Sequence, residues 1–415
     1  MSTLKIAWRN LGRSKRRTLL AGGAIALGQL TLVFVNGLMA GSFHEMMRAV
    51  TGPLVGHVQI HHPDWREERA IDLYVDRLSE VTSAIEALPG VKSVSPRIYA
   101  PALVASGELS DEPADAEPGV LVGVDVLAES ERSGLLANAA PEDLPGERKV
   151  MLGKVLANRL GVKPGQLLAV IGQDADGFPV SDLYTIGAIL KSTVDLVSTM
   201  GVVMTAADAG ELLAMPDQAH EILVQGEDYR DAEALALSVA ALPVLAEADV
   251  LSWREAAPEF VRIIDMKKWF DLIFLAIVFV AAAAGVANTA MMSTFERTHE
   301  FGMLLAVGTR PVRIIRIVLV ESVVLGLMGV AVGSVVGTAL VLITSHTGIN
   351  YAALGGVDAE TVAFGGVNFS FIIYPVFELR HIVFGVCAVT VTSVLASLWP
   401  AALAARLEPV EAMRS

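Results

Sequence analysis

The stretch 293–313, STFERTHEFGMLLAVGTRPVR, is a charged island between two long apolar runs, and its reading decides the fold. Glu296, Arg297, His299 and Glu300 crowd its first half, with Glu296 and Glu300 at i,i+4, whereas Phe301, Met303, Leu304, Leu305 and Val307 make the second half apolar. That pattern suits a short amphipathic helix on a membrane surface, one face wet and one face packed on the ends of spanning helices. Gly308 follows the last apolar position and Pro311 comes soon after, a helix stop and a well-tolerated first-turn proline. The island therefore reads as helix, sharp turn, new helix, in water at the mouth of a membrane.

Outward from the island the chain is apolar. Of 415 residues, 53% are hydrophobic and 18% charged, with a mean hydropathy of +0.55, too apolar for a soluble globular chain. Runs near the roughly 20 residues a spanning helix needs are expected at 18–41, 266–292, 313–343 and 381–405. Lys5, Arg9, Arg13, Lys15, Arg16 and Arg17 precede the first span without an acid, and Arg297, Arg310 and Arg313 lie on the island. Excess Lys and Arg place both segments on the cytoplasmic side, and four spans return the tail 406–415, with Arg406 and Arg414, to that side. Between the first two spans, residues 42–265 carry 16 Lys and Arg against 36 Asp and Glu, a net of −20 where the whole chain is −14. That acidic block is expected outside. The first apolar run is too long for a signal peptide and lacks a cleavage site, so it reads as a retained span. Ahead of it, within 1–17, the segment LKIAWRNLGR (4–13) puts Leu4, Ala7, Trp8 and Leu11 on one helical face, as in an interfacial elbow helix.

The external block is large enough for one or two domains. Residues 57–62 read as a strand, 75–88 as a helix and 91–105 as a strand; 221–225, 231–242 and 248–253 repeat that order at the far end of the block. Two such strand–helix–strand units suggest a ferredoxin-like lobe. Between them, at about 106–215, lies a β-rich insertion: strands at 121–126, 167–172, 183–190 and 201–205, and a short helix VMLGKVLANRLGV over 150–162. Its loops at 106–119 and 172–182 are acidic and rich in proline or glycine, as exposed tips are.

The third span carries Gly326, Gly329, Gly333 and Gly337, the last three at small-xxx-small spacing, which lets another helix approach closely, either within the chain or from a second subunit. Glu321 is the one acid well inside that span, and pairing with Arg316 or Arg297 near the interface is the expected role. The loop 344–380, glycine-rich and apolar, is expected on the membrane surface or against the span ends. Cys387, the sole cysteine, excludes an internal disulfide and reads as a buried small hydrophobe. No G-x-x-x-x-G-K-[ST] or G-x-G-x-x-G motif follows a strand, so no nucleotide site is recognisable. His57, His61 and His62 sit on alternating strand faces without a cysteine or compact acidic cluster, and Asp174–Gly177 lacks the later glutamate of a calcium loop, so no metal site is expected. No nucleophile, base and orienter assemble from the spacing, and the acidic exterior argues against nucleic acid.

Three stretches carry a resemblance: AWRNLGRSKRRTLL (7–20), FERTHEFGMLLAVGTRPVRIIRIVLVESVVLG (295–326) and PAALAARLEPVEAMR (400–414). Together with the order of one span, a large external domain and three more spans, they resemble the FtsX/MacB/Lol superfamily of ABC transporter permeases. The resemblance implies an α-helical membrane protein with four transmembrane helices, of type VII, and an α+β periplasmic domain between the first and second. It implies a multi-pass protein of the bacterial inner membrane with both termini cytoplasmic, and a dimeric permease, homo- or heterodimeric. A non-catalytic subunit is implied too, ATP and Mg being bound by a separate ATPase. On that resemblance 293–312 is the coupling helix, with Glu296, Arg297, Glu300, Gly302 and Gly308 on the motif positions. The segments GHVQIHHPDW (56–65), LPGVKSVSPRI (88–98), VLVGVD (120–125) and MLGKVLANRLGVKPGQLL (151–168) are most similar to the lipoprotein-releasing Lol permeases. Lipoprotein would then be lifted from the membrane lipid and passed to a periplasmic carrier, with Phe34, Leu38, Met39, Phe43, Met46 and Met47 as acyl-chain contacts. The family's carrier-binding hook is a hairpin loop, and neither loop tip here matches one. The alternatives are a MacB-like efflux permease for peptides or antibiotics and an FtsX-like transmembrane signal transmitter.

Overall fold

A computed structural model describes residues 15–107, 116–131, 134–355 and 361–406. The elbow segment 4–13, most of the loop tip 106–119 and the tail from 407 lie outside the described residues. The chain forms two compact units, 1–43 with 265–357 and 372–415, and 44–264 with 358–371.

Four helices in the described chain are long and apolar enough to cross a membrane: α1 (Lys15–Ala49), α4 (Pro258–Glu296), α6 (Pro311–Thr347) and α7 (Leu379–Ala405), with α5 (Thr298–Ala306) between the second and third. Two short helices of the inserted domain are α2 (Leu78–Glu86) and α3 (Ala232–Ala240). Lipid tails are as apolar as leucine, so spanning helices gain little from hydrophobicity and pack through small residues. Gly329, Gly333 and Gly337 do this against α1: a Cβ on Gly329 would lie 2.8 Å from Ile25, one on Gly333 2.8 Å from the Gln29 Cβ, and one on Gly337 3.2 Å from Val33. The stripe therefore packs inside the chain. On another face of α6, Gly326 admits Ser393 and Val389 of α7, and Gly385 of α7 receives the Gln29 amide. That amide donates to the Ser334 hydroxyl at 3.1 Å, a polar link at the buried seam of α1 and α6. Cys387 is exposed, not buried as its small apolar character suggests.

The inserted domain has one nine-stranded sheet, made in order of strands 116–124, 201–205, 149–153, 179–190, 167–173, 91–106, 221–226, 58–61 and 249–252, with 116–124 also paired to 91–106. Strands β1 (Val58–His61), β2 (Val91–Ser106), β8 (Glu221–Gly226) and β9 (Asp249–Ser252) are antiparallel neighbours in the order β2-β8-β1-β9. With α2 joining β1 to β2 and α3 joining β8 to β9, this is the ferredoxin-like arrangement. Val58, Ile60, Val81, Ile85, Ile222, Val224 and Val239 form its core, all fully buried.

The insertion is not an appendage to this lobe. The 16 residues of β2 serve both halves: 91–97 pair with β8, while 97–106 pair with β3 (Ala116–Val124) and β5 (Leu167–Gln173). Because β3 meets β2 as well as β7 (Gly201–Thr205), and β4 (Lys149–Gly153) and β6 (Pro179–Leu190) complete the circuit, six strands close on themselves. Closure removes free edges. The interior is filled by Val104, Leu121, Leu152, Leu168, Val170, Ile186 and Met204.

Two sequence expectations are corrected here. Residues 150–162 are not one helix: Lys149–Gly153 is strand β4, and only Lys154–Leu160 is helical. Val150 and Leu152 face one core and Met151 the opposite one, a period of two that the pairing with β6 and β7 enforces over helix propensity. The loop 344–380 does not act as one surface element. Its middle, 358–371, belongs with the inserted domain, as a hairpin of Thr361–Phe364 and Val367–Ser370. The Asn368 amide donates to Thr193 O at 2.6 Å, the Asp195 amide to Gly366 O at 2.9 Å, and Phe260 packs on Phe364 and Phe369. Gly365 and Gly366, at φ of 57° and 78°, supply the tight turn.

Candidate functional site

The site is the island. Helix α4 runs to Glu296 and breaks at Arg297, whose φ of −111° and ψ of 15° leave the helical range; α5 starts at Thr298. At the far end Gly308 has a φ of 89°, and the Gly308 and Thr309 amides donate back to Leu305 O and Leu304 O, each at 2.9 Å. A left-handed glycine closing the last turn is a helix stop that other residues adopt only with strain. Arg310 is extended and Pro311 opens α6.

Arg297 ties the three helices together. Its Nε donates to Glu300 on α5 and its Nη1 to Glu321 on α6, both at 3.0 Å, and its guanidinium lies 4.9 Å from the centre of the Phe301 ring. The intramembrane acid therefore meets Arg297, one of the two partners considered. Phe301 is the anchor beneath: it is buried with Ile314 and Val318 of α6 and Ala401 and Ala404 of α7. Gly302 is buried beside it.

The outward side departs from the expectation of a wet face. Glu296 and His299 are exposed at one end, but Met303, Leu304 and Val307 are exposed too, Val307 at 88%. Phe295 before α5 and Val312 after it are exposed as well, as are Arg310 and Arg313. Several large apolar side chains exposed within one short segment, with charges among them, are the kind of surface a protein partner covers.

The acyl-contact candidates divide along α1. Met39 is exposed and Phe34, Leu38 and Phe43 half-buried, but Met46 and Met47 are buried at 8% and 3%. Met46 and Met47 thus have little exposed surface, Met47 lying on the lining of a cleft beside His44 and Arg48. Among the described residues no three metal-ligating side chains gather. His57 instead accepts the Gly226 amide at 2.9 Å, and burial pushes its pKa down to about 4. One buried group escaped the sequence reading: Arg97 of β2, whose Nε lies 2.5 Å from Glu129 and whose Nη1 donates to Pro53 O at 2.6 Å. Nothing in the letters ties an arginine on one strand to a glutamate 32 residues on, beyond the next strand.

Residues 18–242 match the MacB-like periplasmic core domain, and residues 272–409 the FtsX-like permease C-terminal domain. The chain is similar to the lipoprotein-releasing system transmembrane protein LolC of Neisseria meningitidis, 22% identical over 96% of this chain and 94% of that protein. It is likewise 22% identical to LolE of Haemophilus influenzae, over 94% of this chain and 92% of that one. The pyoverdine export ATP-binding/permease protein PvdT of Pseudomonas putida is 24% identical over all of this chain but 60% of its own length.

Proposed function

We propose that this chain, which belongs to the FtsX/MacB family of ABC transporter permeases, is a permease subunit that releases lipoproteins from the bacterial inner membrane. The observation that carries the reading is the end-to-end correspondence with both LolC and LolE, which spans the external domain as well as the helices. The absence of a phosphate-binding motif from these 415 residues fits a non-catalytic subunit driven by a separate ATPase.

In this reading the island is the point of entry for the driving motion. The ATPase covers Met303, Leu304 and Val307, while Glu296 and His299 set the register at the rim. Phe301 and Gly302 seat α5 on α6 and α7, so a push on α5 is delivered to both helices. Arg297, bonded to α5 and α6 at once, keeps the end of α4 in step. Both termini and the island are cytoplasmic, and the acidic α+β domain is periplasmic. A second permease subunit, a lipoprotein and a periplasmic carrier complete the assembly. Of the acyl-contact set, Phe34, Leu38, Met39 and Phe43 retain the surface the role needs.

Depletion of the protein tests the cargo. Outer-membrane lipoproteins are expected to accumulate in the inner-membrane fraction; unchanged fractionation would contradict release. A second reading, export of a small molecule, draws on the match to PvdT over the whole chain. It predicts normal lipoprotein fractionation with raised sensitivity to, or retention of, the exported compound.

A further inference from the structure

The inserted domain is acidic, at −20 over residues 42–265, yet one cleft in it, of about 540 Å³, is lined by three arginines. Arg66 and Arg69 come from the short helix Trp65–Glu68 after β1 and its cap, and Arg97 with Tyr99 from β2; Glu221 and Glu259 are the acids on the lining. Leu54, Pro101, Val120, Val194 and Leu196 are among its apolar lining. Ligand pockets of roughly 300–1,000 Å³ combine an apolar lining with a few placed polar groups.

The arginines differ in what remains for a ligand. Arg97 is fully engaged by Glu129, Pro53 O and Tyr99, and is part of the frame. Arg69 gives Nη1 to Glu221 at 2.8 Å, while its side chain stays 55% exposed. Its guanidinium is laid over the Trp65 ring at 5.1 Å; Trp65 is buried, stacked on His220 at 4.4 Å, and donates to the same Glu221 oxygen at 2.9 Å. Arg66 is fixed by Ala256 O at 2.6 Å and is likewise exposed. Two exposed guanidinium groups are thus held in place before any ligand arrives, so little side-chain entropy remains to be lost on binding. Planar, weakly hydrated guanidinium groups favour phosphate and carboxylate.

We propose that this cleft binds a small anionic amphiphile, with its phosphate or carboxylate on Arg66 and Arg69 and its apolar body against Leu54, Pro101, Val120 and Leu196. The site lies wholly within the inserted domain and does not depend on which cargo the permease moves.

The test is a binding titration of the full chain in phosphatidylcholine nanodiscs with four probes, empty discs giving the partitioning background. Octyl phosphate and octanoate are expected to bind, and their ratio tells a phosphate head from a carboxylate. Octyl glucoside, with no charge, and inorganic phosphate, with no tail, are expected to bind at least tenfold more weakly. The double variant Arg66→Gln/Arg69→Gln should weaken octyl phosphate at least tenfold. Leu196→Asp, at a lining position 41% exposed, should do the same without touching the arginine bonds. Octyl glucoside binding as tightly as octyl phosphate, inorganic phosphate doing so, or unchanged affinity in the folded variants would each overturn the proposal.

Discussion

Arg97 and Arg297 hold acids in the two units by similar bonds, and they differ in burial. The Arg97–Glu129 pair has side-chain exposures of 2% and 1%, whereas Arg297 is 18% exposed and its partners Glu321 and Glu300 are 15% and 41%. At Arg97 burial works against both charges. The Glu129 carboxylate, with Tyr99, more than offsets it and keeps Arg97 protonated; burial would raise the Glu129 carboxyl, but Arg97, the Leu135 amide and Ser95 hold it below its usual range. The bonds of Arg97 reach two other segments, the helical turn Val50–Leu54 at Pro53 and the helix at Glu129, so it ties three parts of the domain into one frame. Arg297 instead sits at a break between helices, less buried than Arg97, with one of its two partners, Glu300, on the exposed side. The Arg297–Glu300 pair, the more exposed of its two, contributes little to stability. The difference teaches that one arrangement is a strut and the other a joint.

Breaking the strut has the largest expected effect. Arg97→Met leaves Glu129 buried and uncompensated and should cost about 3–5 kcal/mol in unfolding experiments. Arg97→Met/Glu129→Gln should recover most of that loss, because glutamine removes the charge, accepts from the Leu135 amide through its one oxygen and can donate its NH2 to the Ser95 hydroxyl. Failure to recover would mean that Arg97 stabilises by packing alone. Within the helical unit, Gly333→Val forces a side chain into Ala26 and Gln29 and should cost about 1–3 kcal/mol, seen as a lower melting temperature in detergent.

A smaller effect separates the frame from the rest of its domain by pH. The pKa of His57 is about 4 in the fold against 6.5 free, so the unfolded chain binds the extra proton between those values. Its contribution is fully present above pH 6.5 and is lost as pH falls toward 4. His57→Asn should flatten the midpoint of urea unfolding across that window while leaving the slope below pH 4 unchanged.

The parts legible in the sequence were those with local periods. Four apolar runs gave the spans, and the strand–helix–strand order at 57–105 and 221–253 gave the ferredoxin-like half. Gly308 and Pro311 announced the turn that the φ of 89° at Gly308 realises. What was not legible depends on partners distant in sequence. Residues 150–153 read as helix because VMLGKVLANRL has apolar residues at helical spacing too, and only pairing with β6 and β7 selects a strand. The closed six-strand circuit needs β3 to meet both β2 and β7, which no local pattern encodes. The hairpin at 361–370 takes its place from Thr193 and Phe260, more than 100 residues away. In the island the residue types were plain, but which apolar ones face inward was not: Phe301 is the anchor, and Met303, Leu304 and Val307 form the open patch.

The claim that the island receives the driving motion is tested most directly by lipoprotein release per ATP hydrolysed, in proteoliposomes holding the permease and its ATPase. In Glu300→Lys, where a second cation faces Arg297, the protein should insert and melt within about 1 kcal/mol of the original. Release per ATP is expected to fall at least tenfold while hydrolysis continues. Unchanged release per ATP in that variant would contradict the account.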